Sequence, residues 1–566
     1  MARIYSIKIE NYRGIKHLEQ TFGDENLVVL IGRGDTGKST LLHAIQAVLC
    51  PYWNLTFSDM DFYDMNIETP ITIEVTMADV PQELLSMEKF GAYYCLLREG
   101  QIETDITSQD ANQEDIVLTI KMVVDKSLEP KWYVTSGRDE QQDIQISASD
   151  RAKFCVFMIA DYVDNHFSYN RTSPLYTLFR NTLGNAASPS QKLIELRRKI
   201  SDVITNADDL EEFDTVVRSI INDANKWGLE LDDLKTSFDV IERSYSESNI
   251  SLHNDKMPYR LHGKGAKRLL SMAIQSELTK VGGIVLIDEI EQGLEPDRIV
   301  NLVHTFKNSH QGQIFITTHS AYALVEADAH NLFIMRRGCD KLIHFDVESQ
   351  SILRIQPEAF FAKKVICCEG KTEQGVLRAI NDFVQSRFDS SFPALGIVIV
   401  DCGGGTKIID QPLALRKAGF DVCAFLDADE ENVMKRLDEL KSEDVTLAIC
   451  EGGNCIEQQV FNDIPWAKFI ELVAMASALN EGSSSNLLTE DAVTALSNIT
   501  DTNEQKAKRE LYGKEAKHKK NGWFKDIDKG EAFGKLIIGA YDGLDANCKL
   551  KEELDIIAKW IGVNFS

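Results

Sequence analysis

At 566 residues, 43% of them hydrophobic and 26% charged, the chain is too long for one hydrophobic core, and roughly two to four globular domains are expected. A net charge of −27 opposes a global affinity for nucleic acid, so any such contact requires a local basic patch. No apolar run approaches the roughly 20 residues that span a bilayer, the opening MARIYSIKIENYRG lacks a signal-peptide core, and the 11 cysteines contain no CxxC pair; these features predict a cytoplasmic protein with reduced thiols, no zinc ribbon and no membrane partner.

LVVLIGRGDTGKSTLLHAI, residues 27–45, is a β-branched run, a glycine-rich loop and a helical pattern. It matches GxxxxGK[ST] with a strand before it and a helix after it, the context this motif needs. Gly32, Gly34 and Gly37 let backbone N–H groups wrap a triphosphate. Lys38 reaches its outer phosphates and Ser39 ligates Mg²⁺, with Thr40 beside it at the positive end of the helix. From about 150 to 250, apolar residues recur at three- and four-residue spacing. This predicts a helical insertion used for dimerisation, with a bundle closed within one chain as the alternative.

LHGKGAKRLLSMAIQSEL, residues 261–278, is a glycine-punctuated turn opening a helix, and Gly263 and Gly265 permit close approach to a nucleotide held by another subunit. GGIVLIDEIEQGLEP, residues 282–296, runs four apolar residues into Asp288 and Glu289. At such a strand end the aspartate orients the Mg²⁺ shell and the glutamate stands where a general base for the attacking water belongs. QIFITTHS, residues 313–320, ends a further apolar strand at His319, placed to contact the γ-phosphate.

The order of these pieces resembles the ABC-type ATPases of the SMC and RecF group, and the opening IYSIKIENYRGIK is similar to that group's first strands. The resemblance implies a homodimer in which the signature loop of one subunit closes on the nucleotide of the other. The signature departs from the LSGGQ form, and FSDMDFYD at 57–64 has acids where a Q-loop glutamine would stand. Whether ATP is hydrolysed or only sensed stays open, and no helicase motif suggests a motor.

After ILRIQPEAFFAKK the pattern becomes alternating strands and helices, which predicts a parallel sheet with crossover helices and functional groups at the strands' carboxyl ends. Glu369, Asp401, Asp427 and Asp429 all fall there, and Glu373 lies one helical turn beyond Glu369. Carboxylates gathered at one edge repel one another unless cations neutralise them. Hard oxygen ligands with no histidine or cysteine in the set favour Mg²⁺ or Mn²⁺ over zinc.

EGxxE followed by DxD about 55 residues later resembles the Toprim domain. An SMC-like ATPase followed by Toprim is similar to the OLD (overcoming lysogenization defect) family, which includes the nuclease subunit of Gabija antiphage systems and effectors attached to some retrons. The resemblance spans essentially the whole chain and implies an ATP-regulated, two-metal DNA endonuclease of antiphage defence. It assigns Glu369 and Glu373 to the two Toprim glutamates and Asp427 and Asp429 to the DxD pair. In GGNCIEQQVF it assigns Glu457 to a second metal, and in NGWFKDIDKGEAFG it makes Lys525 a transition-state stabiliser. Implied partners are DNA, a homodimer or higher homo-oligomer, and a defence-system partner such as a helicase or a retron reverse transcriptase with its DNA or RNA.

The expected class is therefore α/β, with an ABC-type (SMC/RecF-like) ATPase over 1–150 and 251–358, a helical insertion over 151–250, and a Toprim nuclease domain with a parallel sheet over 359–566. Catalytic candidates are Glu369, Lys525 and Glu289, with Asp401 added to the metal set. The basic run KAKRELYGKEAKHKKNGWFK, residues 506–525, serves as a DNA-backbone surface beside the site or simply as a solvated helix face. The rival reading is a non-nucleolytic RecF/SMC-like DNA-binding ATPase, a repair clamp or sensor, which has no need for the acid set.

Overall fold

The run LVVLI is buried at every residue as β1 (Leu27–Ile31), near the middle of a six-stranded sheet. Its companions are β2 (Val156–Ile159), β3 (Ile284–Ile287), β4 (Gln313–Thr317), β5 (Leu332–Ile334) and β6 (Ile343–His344), in the order β2-β3-β4-β1-β5-β6. All neighbours are parallel except the β5–β6 pair. Strands covered on both faces read as unbroken apolar runs rather than as alternation, and β3, β4 and β5 are likewise buried throughout. The strand order places β4 between β1 and β3, so the glycine loop, Asp288 and His319 leave the sheet side by side.

The computed structural model describes residues 2–104, 115–160, 163–169, 173–183, 211–231, 234–238, 250–280, 283–308, 312–345, 350–480, 485–518 and 522–565. They fall into two compact units, Met1–Phe345 and Asp346–Ser566.

In the first unit, Arg3–Tyr12, Ile15–Thr21, Ile71–Ala78 and Ile116–Val124 belong to an eight-stranded sheet and pair antiparallel. Helix α1 (Lys38–Leu49) joins the two sheets in one core: its Leu41, Leu42 and Ile45 lie in a cluster with Ile7, Ile73 and Ile120 and with Val28, Leu286 and Phe315. The span read as a helical insertion is mixed. It contains helices Pro174–Leu183 and Glu211–Lys226, but it also supplies edge strand β2 and the strand Leu234–Phe238, which pairs antiparallel with Ile250–Asn254 at the span's end. VFMI is four residues long, too short to carry a period that separates strand from helix. Much of the expected bundle, residues 184–210 and 239–249, lies outside the described residues.

The second unit holds a four-stranded, all-parallel sheet, β7 (Lys364–Cys368), β8 (Ile397–Asp401), β9 (Asp421–Leu426) and β10 (Thr446–Ile449), in the order β8-β7-β9-β10. Helix α3 (Lys371–Phe388) follows β7 and packs against α6 (Ile527–Gly539) through glycines. A Cβ on Gly375 would stand 2.4 Å from the Gly530 carbonyl carbon, and one on Gly530 would stand 2.7 Å from the Thr372 carbonyl oxygen. This contact of backbone on backbone holds the segment ahead of α6, which carries Phe524 and Lys525, beside the start of α3. Thr372 Oγ1 completes the tie by donating to the Phe524 carbonyl at 3.0 Å. No described helix is long and apolar enough to cross a membrane.

Candidate functional site

Each unit gathers polar groups at the carboxyl end of its parallel sheet. In the first, Gly32 and Gly37 have φ of +143° and +105°, conformations that glycine takes without strain. A side chain on Gly32 would also stand 2.3 Å from the Met335 carbonyl oxygen. Lys38 is 6% exposed, and its Nζ donates to the carbonyls of Gly32 at 2.9 Å and Arg33 at 2.8 Å. Burial lowers its pKa below the ordinary lysine value. Gly34 is open to solvent, and Ser39 and Thr40 begin α1 half-buried.

Two hydroxyls converge on one oxygen. Ser39 Oγ donates to Asp288 Oδ1 at 2.9 Å and Thr317 Oγ1 donates to the same atom at 2.6 Å. Thr317 Oγ1 also accepts the Glu289 N–H at 2.8 Å, fixing a residue whose φ is +48°. Glu291 ties this turn to the end of β4, accepting from Thr318 Oγ1 at 2.7 Å and from the His319 N–H at 2.6 Å. Burial, and after it the positive charge of Lys38, lowers the His319 pKa and favours a neutral ring.

Arg268 was not legible as a site residue. It lies on α2 (Lys264–Lys280), 3% exposed. Its Nη2 donates to the Asp288 and Glu289 carbonyls at 2.6 and 2.8 Å, and its Nη1 to Gln292 Oε1 at 2.7 Å. Of the two signature glycines, Gly263 has open space where a side chain would stand. Gly265 instead meets its own chain, since its Cβ would fall 2.2 Å from the Gly293 carbonyl oxygen. The close approach at Gly265 therefore joins α2 to the turn after Asp288.

In the second unit Glu369 follows β7, Glu373 lies in the first turn of α3, and Asp427 and Asp429 follow β9. Glu457 lies in the first turn of α4 (Ile456–Asp463) with no exposed side-chain surface. The N–H of Ile456 donates to Asp427 Oδ1 at 2.8 Å, so the start of α4 is tied to the strand end that carries the aspartate pair. Ligand atoms of Asp427, Cys455 and Glu457 all lie within 4.8 Å of one another.

Electrostatics follow from crowding and burial. Burial first, then the charge of Asp429, pushes Glu369 up to about 7. Glu373 is also pushed up to about 7, by burial and then by Glu457. Asp427 is raised well above the usual carboxylate range by burial, with Glu373 the next cause. Three lysines offset part of this charge: Lys525 pairs with Glu457 at 2.6 Å, Lys517 with Asp429 at 2.7 Å, and Lys371 with Asp401 at 2.6 Å. Thr372 Oγ1 also donates to Glu457 Oε1 at 3.3 Å.

Asp401, expected in the metal set, has its carboxylate engaged by Lys371 and by the Gly403 N–H at 2.9 Å. Cys455 and Lys517 were absent from the predicted site. Cys455 stands two residues before Glu457 and caps α4, so the argument that the set lacks sulfur does not describe the folded pocket. Lys517 belongs to the basic run at 506–525, where only its position, not its partner, was readable. Lys519 and Lys520 of that run lie outside the described residues, and Arg509 is turned inward, donating to the Phe461 carbonyl at 2.7 Å.

Residues 3–324 match the AAA ATPase domain family, and residues 360–429 match the overcoming lysogenization defect protein-like TOPRIM domain. The chain is similar to an OLD nuclease of Thermus scotoductus, 21% identical over 449 residues that cover 71% of this chain and 77% of that one. It is also similar to an ATP/GTP phosphatase of Helicobacter pylori, 22% identical over 344 residues covering 56% of this chain and 85% of that one. Among solved structures, an Smc head bound to the C-winged helix domain of ScpA superposes with a TM-score of 0.39 at 14% identity, covering 62% of this chain and 99% of that one.

Proposed function

This chain belongs to the AAA ATPase domain family and carries an OLD-like TOPRIM domain after it, the ATPase–Toprim arrangement of the OLD family, and from that premise we propose an ATP-regulated, divalent-metal-dependent DNA endonuclease that serves as an antiphage effector. The strongest support is the convergence of buried Glu373 and Glu457 and half-buried Asp427 with Lys525 at one sheet edge. Glu457 Oε2 is buried and has no hydrogen-bond partner among the described residues. That atom and the raised carboxyl pKa values are what a cation pocket produces before its charge is balanced.

Glu369, Glu373, Asp427, Asp429 and Glu457 would hold Mg²⁺ or Mn²⁺. When bound, such ions supply Lewis-acid charge neutralisation and an activated water. Lys525 Nζ would place a fixed positive charge where charge accumulates on the phosphate. Glu369, its carboxyl raised by burial and by Asp429, would release its proton as a cation binds. Asp401 would join the set only after Lys371 releases it. Exposed Lys506 and Lys514 on α5 (Thr502–Ala516) would contact the DNA backbone.

In the ATPase, Lys38 would exchange the Gly32 and Arg33 carbonyls for nucleotide phosphates. Ser39 and Asp288, already in contact through Asp288 Oδ1, would hold Mg²⁺, and Glu289 would orient a water. The open Gly263 turn would face the nucleotide of a second subunit in a homodimer. Nucleotide occupancy would then gate DNA access to the acid cluster.

The test incubates purified protein with supercoiled plasmid in Mg²⁺ or Mn²⁺, with and without ATP, beside Glu369→Ala and Lys38→Ala. Nicked or linear DNA that is absent with Glu369→Ala and altered by ATP and by Lys38→Ala is expected. Cleavage indifferent to ATP and Lys38→Ala overturns the gating, and intact DNA in every condition favours the clamp reading.

A further inference from the structure

Sequence reasoning assigns the acid cluster to hard cations because it finds only oxygen ligands. The fold adds a thiol. Cys455, 1% exposed, is the N-cap of α4, with φ −91° and ψ 172°. One residue on, Ile456 donates its N–H to Asp427, and one residue further Glu457 enters the first turn. These three consecutive positions seat Sγ among the oxygens of Asp427 and Glu457, every pair of ligand atoms within 4.8 Å.

One observation independent of the cysteine points to a ligand there. Glu457 has no exposed side-chain surface, and its Oε1 is taken by Lys525 at 2.6 Å. Its other oxygen is buried and without a hydrogen-bond partner among the described residues, a costly arrangement unless something binds it. A tetrahedral ion with sulfur and oxygen ligands sets neighbouring ligands about 3.5 Å apart, and the three ligand atoms, all within 4.8 Å of one another, stand within reach of one ion.

We propose that Asp427, Cys455 and Glu457 form a thiolate-bearing subsite for a soft divalent cation of the zinc class, and that such a cation inhibits Mg²⁺-dependent turnover by occupying Asp427 and Glu457. Thiolate binds zinc-class ions far better than it binds Mg²⁺. On binding, the cation replaces the Sγ proton, which leaves to solvent; no electron is transferred. Lys525, on Glu457 Oε1, stands beside the subsite without blocking Oε2. The inhibition half of the proposal rests on the nuclease reading above, whereas the cation site does not.

Co²⁺ serves as the probe because its thiolate complexes absorb strongly in the near ultraviolet. Chelator-treated full-length protein is titrated with Co²⁺, beside Cys455→Ser, Cys455→Ala and Cys450→Ser, each checked for a wild-type thermal transition. Cys450 is the control thiol, its Sγ 3.9 Å from Asp427 Oδ1 on another element. The expected result is a saturable sulfur-to-metal band in wild type and Cys450→Ser that is lost in both Cys455 variants. Zn²⁺ displaces that band. No band in wild type, or a band kept by Cys455→Ser, overturns the site.

The same samples are assayed for plasmid cleavage in Mg²⁺ with added Zn²⁺. Zn²⁺ inhibition of wild type that is weakened on the order of 10-fold or more in Cys455→Ser is expected. Equal inhibition of both proteins overturns the inhibitory role. A Cys455-dependent band without any cleavage keeps the cation site and removes the nuclease reading; cleavage without a band does the reverse.

Discussion

Lys525 Nζ lies 2.6 Å from Glu457 Oε1, a carboxylate with no exposed side-chain surface, and the two residues come from elements 68 positions apart in sequence. The pair stands because α6 is pressed onto α3 at Gly375 and Gly530, which carries the segment ahead of α6 to the acid cluster. Removing the ammonium leaves buried negative charge without its partner and, under the proposed reaction, removes the fixed positive charge that would stand beside the phosphate. Lys525→Ala is expected to lower the initial rate of plasmid nicking by about 10²–10³-fold, with Lys525→Arg intermediate, measured at saturating Mg²⁺.

The glycine contact makes a stability prediction. A Cβ on Gly375 would stand 2.4 Å from the Gly530 carbonyl carbon, so Gly375→Val forces α3 and α6 apart. The expected cost is about 1–3 kcal/mol, read from urea unfolding followed by tryptophan fluorescence, since Trp523 is buried and directly precedes Phe524, whose carbonyl Thr372 holds. An unchanged midpoint would mean that the helices are not held this tightly.

Carboxyls raised by burial destabilise the charged form of the fold. Glu369 and Glu373 are each pushed from the model-peptide value of 4.5 up to about 7. Between those values the native state binds protons that the unfolded state has released, so stability falls as pH rises from about 4.5 to about 7. In chelator-treated protein the melting temperature is expected to drop across this window, and the drop to shrink in Glu373→Gln. Added Mg²⁺ is expected to raise the melting temperature more at pH 7 than at pH 5, because the ion competes with these protons. Differential scanning calorimetry at both pH values reads each outcome.

Arg268 donates to the carbonyls of Asp288 and Glu289 from α2 and so holds the backbone of the turn that would orient water. Arg268→Met is expected to lower ATP turnover on the order of 10²-fold while ATP binding, measured separately by equilibrium titration, stays near wild type. Equal loss of binding and turnover would assign Arg268 to general folding of the loop.

Local motifs were the legible part. The strand before the glycine loop, the loop itself, and the acids at strand ends all declare themselves within 20 residues, because the period of the run and the turn chemistry sit together in sequence. The α/β class and the order of ATPase then parallel Toprim sheet follow from such segments. Partners drawn from distant elements were not legible. Nothing local in KHKK shows that Lys517 pairs with Asp429, nor in GAKRLL that Arg268 reaches the turn after β3. Asp401 illustrates the converse: it stands at the expected strand end, yet Lys371, two residues after Glu369, pairs with its carboxylate. Strand β2 was hidden because a four-residue apolar run has no period to read.

Asp427 ties several parts of the cluster together: it accepts the Ile456 N–H, contacts the Cys450 thiol, and stands with Cys455 and Glu457. Wild type and Asp427→Asn, matched for fold by circular dichroism and thermal melting, should be compared in conversion of supercoiled plasmid in Mg²⁺ and ATP. Nicked or linear product from wild type and none from Asp427→Asn is the predicted result. Product formed at the wild-type rate by Asp427→Asn would contradict the assignment of DNA cleavage to this acid cluster.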